Sequence, residues 1–160
     1  MKIFLVVGTL FHFDRLVKEM DQWAGRNKEH KIIAQIGNSK YKPEHMEYHS
    51  MLATQEFNKT FNEAELVVAH AGMGIILKSL VAKKPFIIMP RLLELKEHTT
   101  NHQVSTARAL EDMNLTLVAW DNADLLKMLD NLSTIKPKKV ISEFASAPLI
   151  EAVEKFIAEA

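Results

Sequence analysis

A chain of 160 residues fits one ordinary domain with its own core, and 48% hydrophobic against 25% charged residues excludes a disordered chain. Twenty Lys and Arg against 20 Asp and Glu leave no net charge, which argues against a protein that grips nucleic acid or an anionic bilayer by bulk electrostatics. The absence of cysteine removes disulfide frameworks, thiolate nucleophiles and cysteine-ligated metal centres.

The first apolar run, Ile3 to Val7, is too short for a signal-peptide core or a bilayer span, and no later segment approaches the roughly 20 apolar residues a membrane helix needs. The simplest address is the cytoplasm. Residues 3–7 read as a buried strand, as do 32–36, 66–69, 86–89 and 115–118, because near-continuous apolar character marks strands covered on both faces. Between them lie segments of helical period. Phe13, Leu16, Val17, Met20 and Ala24 form one stripe, Phe57, Phe61 and Ala64 a second, and Val104, Ala107, Leu110 and Met113 a third. The C-terminal quarter predicts a helix over 124–132, a break at 136–139 and a closing helix over 149–157. Alternating strand and helix predicts a Rossmann-like parallel sheet with helices on both faces, in a single domain over 1–160.

In such a sheet, ligands bind beyond the carboxyl ends of the strands. The first strand ends in Gly8-Thr9 and the third runs into His70-Ala71-Gly72-Met73-Gly74 before a helix. Two glycines permit a tight turn and leave backbone N–H groups bare at the positive end of a helix dipole, which suits a diphosphate. The same pattern equally serves a turn that only lets helix and strand pack closely. It lacks the third glycine of the dinucleotide fingerprint and the lysine of a P-loop. The fourth strand leads through Arg91 to Glu97, His98, Asn101, His102 and Gln103, with Thr99 or Thr100 a natural helix cap. A helix starting there would set His98 and His102 on one face. The order is not the His-Glu-x-x-His of zinc proteases, so a hydrogen-bonding cluster for phosphate or sugar hydroxyls is expected, with no metal and no cofactor.

Val7-Gly8-Thr9 with Phe13-Asp14-Arg15-Leu16, the run from His70 to Gly74, Lys84-Pro85 with Pro90-Arg91, Glu97-His98 and Asn101-His102-Gln103 together resemble the glycosyltransferase family 28 C-terminal domain over residues 3 to 112. The resemblance is closer to its stand-alone members, small subunits of two-component UDP-sugar transferases such as those of bacterial exopolysaccharide or capsule synthesis. It implies the Rossmann-like C-terminal half of a GT-B enzyme, binding a UDP-sugar and working with a membrane-associated partner subunit that carries the acceptor site. The residues it points to as binding the nucleotide sugar are Gly8, Thr9, His70, Ala71, Gly72, Met73, Gly74, Lys78, Arg91, Glu97, His98, Asn101, His102 and Gln103. Two positions depart from the family pattern. Lys78 stands where a glutamate usually receives the ribose hydroxyls, and a lysine cannot accept from a diol. It either meets a phosphate or an acidic sugar, or is a solvated helix residue. Leu10-Phe11-His12 replaces the usual His-Glu, leaving His12 as the candidate catalytic base or a plain helix-start residue. The implied activity is hexosyl transfer to a lipid-linked acceptor; the alternative is a relative that keeps the fold and has lost donor binding.

Overall fold

The computed structural model describes residues 1–138, 141–142 and 144–159. Six parallel strands make one sheet: β1 (Lys2–Val6), β2 (Lys31–Gln35), β3 (Glu47–His49), β4 (Leu66–His70), β5 (Phe86–Met89) and β6 (Leu117–Val118). Their order is β3-β2-β1-β4-β5-β6, with every neighbouring pair parallel. The chain reverses its direction of travel across the sheet between β1 and β4. That switch point leaves a crevice at the carboxyl ends of the two central strands.

Helices α1 (Asp14–Arg26), α2 (Thr54–Glu63), α3 (Met73–Val81), α4 (His102–Asp112), α5 (Asn122–Leu129) and α6 (Ala147–Ala158) complete the chain, with a short 3₁₀ turn over Leu132–Thr134. The pleat of β1 divides its side chains. Ile3, Leu5 and Val7 enter a core shared with Leu16, Met20 and Trp23 of α1 and Leu125 and Leu129 of α5. Phe4 and Val6 face the opposite core with Phe61 of α2, Ile76 and Leu80 of α3 and Ala107 and Leu110 of α4. Apolar residues on both sides of each central strand are why these segments lack alternation.

Some expectations shift. The edge strand β3 has no apolar run to announce it, and all three of its residues are exposed. The fifth expected strand is paired only at Leu117 and Val118. Met113, at the end of its stripe, is half exposed, and the helix expected over 124–132 occupies 122–129. Lys139, the last residue of the expected break, lies outside the described residues. The C-terminal helix forms but buries no residue. Among the described residues no helix is long and apolar enough to cross a membrane.

Candidate functional site

β1 stops where Gly8 turns into the left-handed region at φ +71°, and β4 stops at His70, two strands that lie side by side. The His70 ring crosses back toward β1, its Nδ1 3.3 Å from the Val6 carbonyl, which accepts the bond. A Cβ on Gly8 would stand 2.8 Å from the ring Nε2, and one on Gly72 would overlap the same atom. Gly37, at φ +55°, backs this arrangement from the end of β2, where a Cβ would overlap the Gly8 carbonyl. Gly72 therefore makes room for the His70 imidazole. Gly74 is different: in the first turn of α3, its Cβ direction is empty to 4 Å. α3 has no side-chain cap, so its first N–H groups receive no side-chain partner at the positive end of the helix dipole.

The third wall comes from the segment between β5 and α4. Arg91 is buried beneath it, its Nη2 donating to the carbonyls of Val7 and Phe11 and its guanidinium packed over the Phe13 ring. The Gln103 side-chain Oε1 accepts from the Arg91 backbone N–H at 3.1 Å. His98 lies in the loop ahead of α4, and its Nδ1 accepts from the N–H groups of Thr99 and Thr100, so Nε2 carries the proton. Its ring centre is 4.7 Å from Phe11 and 4.4 Å from His102. Together Gly8, Thr9, Leu10, Phe11, His70, Gly72, Arg91, His98, His102 and Gln103 line a cleft of about 460 Å³.

Burial and the Arg91 charge hold His70 down at about 4 despite its bond to Val6. Burial, with His102 and Arg91 nearby, also lowers His98. Arg91 itself is lowered by burial, to about 10, with Glu97 opposing, and stays charged at neutral pH. His70 and His98 thus stand neutral in the cleft wall over the fixed Arg91 cation, and no carboxylate lines the cleft.

Several expected ligand residues do other work. Glu97 is buried, its Oε1 accepting from Arg15 Nε at 2.9 Å and its Oε2 from Arg15 Nη2 at 2.8 Å and the Leu92 N–H at 3.0 Å. Its oxygens are committed, and its charge would repel a phosphate. Ala71 points into the core beneath α3. Lys78 turns to α2, where Nζ donates to Asn58 Oδ1 at 2.8 Å and lies over the Phe61 ring. His12 sits at the start of α1, its Nδ1 3.9 Å from Asp14 Oδ2, and does not line the cleft. Asn101 heads α4 without capping it; its Oδ1 accepts from the Leu93 N–H instead, and neither Thr99 nor Thr100 is the cap. Met73 is half exposed at the mouth of α3. No group of three or more metal-ligating side chains is found among the described residues.

Leu10 and Phe11 are cleft residues that sequence reasoning assigned no ligand role, since an apolar pair in a loop carries no chemical signature. Asp14 was also missed. Burial raises its carboxyl, but bonds from Ser39 and the N–H groups of Tyr41 and Lys40 outweigh that and leave it lowered, tying the loop after β2 to α1.

Solved structures share this architecture. The calicheamicin glycosyltransferase CalG4 superposes with a TM-score of 0.60 at 15% identity, over 83% of this chain and 34% of its own. MurG from Acinetobacter baumannii gives 0.55 at 16%, over 83% and 41%. The glycotransferase of kitacinnamycin gives 0.55 at 16%, over 82% and 34%. The chain spans between a third and two-fifths of these enzymes, and its sheet and helices are those of the C-terminal Rossmann-like half of a GT-B glycosyltransferase. A comparison with curated protein sequences gives no match. Residues 2–158 match the glycosyltransferase family 28 C-terminal domain, nearly the whole chain, and the protein belongs to that family.

Proposed function

We propose that this chain is the donor-binding part of a glycosyltransferase, a single domain over 1–160 that holds a UDP-sugar. In this reading a membrane-associated partner supplies the acceptor side. A hexose or N-acetylhexosamine passes to a lipid-linked acceptor of exopolysaccharide or capsule synthesis. The observation that carries it is the uncapped start of α3, whose N-cap residue Gly72 lines the cleft, with free space over the exposed Gly74 two residues on. N–H groups there, with the Arg91 charge behind them and Nε2–H of His98 across the cleft, suit the diphosphate as the bond from the sugar C1 to its oxygen breaks. The acceptor hydroxyl must also lose a proton. His70, held near 4, is a poor base at neutral pH, and His12 stands outside the cleft wall, so we assign that role to the partner.

A second reading, a relative that keeps the fold and no longer binds donor, is favoured by Lys78. It stands at the position where the family's ribose acceptor is expected and is engaged with Asn58. Calorimetric titration with UDP, GDP and ADP separates the two. Selective UDP binding in the micromolar range, weakened at least tenfold by Gly74→Trp with melting unchanged, supports the donor site. Binding that appears only in Lys78→Glu supports the second reading. Absence of binding in both chains overturns the donor assignment.

A further inference from the structure

Two unsatisfied surfaces of this chain match one another. The first is α6. Its Leu149, Ile150, Val153, Phe156 and Ile157 are all exposed, Phe156 by 75% and Ile157 by 68%, and the helix buries no residue. At 100° per residue these five fall within about 120°, a continuous apolar stripe. The polar side carries Glu151, Glu154 and Glu159 against Lys155 alone, with Glu154 about 100° from the centre of the stripe. The second surface is a groove of about 540 Å³ formed by the start of β6, the second half of α5 and the segment after it. Leu117, Met128 and Ile135 give it an apolar floor, and Lys127, Lys136 and Lys138 a basic rim, with Asp124 the one acid among its lining. None of the three lysines is in an ion pair among the described residues.

An acidic helix with an apolar stripe fits an apolar groove edged with lysines. It fits an anionic bilayer badly, because interfacial helices carry their cations beside the apolar face. It also fits a second α6 badly: an antiparallel pair centred on Val153 brings Glu154 against its own copy. In each chain α6 leaves its own groove uncovered, so two copies bring two free helices and two free grooves. We propose that α6 of one copy docks in the groove of a second copy, reciprocally, closing a two-fold dimer. Two engaged helices, each covering roughly 500 Å² with a like area of groove, give on the order of 2,000 Å², ample for a specific interface. The groove and the cleft share no lining residue, so the dimer does not depend on the donor reading.

Sedimentation of the full chain tests this. A dimer is expected at micromolar concentrations, shifted to monomer by Val153→Asp and weakened at least tenfold by Lys127→Glu with Lys136→Glu, the circular dichroism of each variant unchanged. Because the chain has no cysteine, a Val153→Cys chain mixed with a Thr134→Cys chain should give a disulfide-linked heterodimer under mild oxidation. A chain that stays monomeric throughout, or a dimer indifferent to Val153→Asp, overturns the proposal. So does a doubly substituted chain that closes its disulfide within one molecule, which would place α6 on its own groove.

Discussion

The His70 ring is held by glycines on two sides and by the Val6 carbonyl, and this confinement sets its titration. Its folded pKa of about 4 lies below the ordinary 6.5, so the unfolded chain binds the proton more readily between those values. The associated stability is fully present above pH 6.5 and is lost as pH falls toward 4. Urea unfolding at pH 7 and pH 4.5 should differ by about 2–3 kcal/mol from this group, a difference that His70→Gln removes. His98 behaves differently in use. It is neutral at pH 7 in the free chain, its pKa being lowered, and a diphosphate beside it stabilises the charged form. Under the proposed function, affinity for UDP-N-acetylglucosamine, whose diphosphate does not titrate in this range, rises as pH falls from 7.5 to 6. A calorimetric series with His98→Gln as the flat control checks it.

At the scale of elements, the segment between β5 and α4 is fixed by one ion pair, Glu97 with Arg15 of α1, both largely buried. Glu97→Gln leaves a guanidinium without its charge partner and should cost about 2–3 kcal/mol in denaturant unfolding, loosening His98 and the cleft wall with it. That pairing spans 82 positions and could not be read from neighbours in sequence. Glu97 looked like a ligand because it stood among polar residues. The central strands were legible because burial on both faces forces apolar runs, as in Phe86-Ile87-Ile88-Met89. β3 was not, because an edge strand of Glu, Tyr and His needs no apolar residue. A closing helix over 149–157 was legible as well, but a helical pattern does not say what covers its face, and α6 buries no residue. Of the residues singled out in the sequence, Gly8, His70, Gly72, His98 and His102 line one cleft, whereas the directions of Lys78 and Arg91 depend on distant partners.

For the whole molecule, one Rossmann-like unit presents one wall of a crevice, and the solved enzymes it resembles are more than twice its length. Under the proposed function, the purified chain binds UDP-sugar yet releases no UDP on incubation with it. Turnover followed by UDP release begins only when the acceptor-bearing partner is added, and release by the chain alone would place the full catalytic set within these residues. The crowding around His70 has a further consequence, for how such a chain can change over generations. A methyl at position 72 meets the imidazole, so Gly72→Ala is costly while His70 is present and cheap once a smaller side chain has replaced it. The two substitutions are therefore accessible in one order and closed in the other.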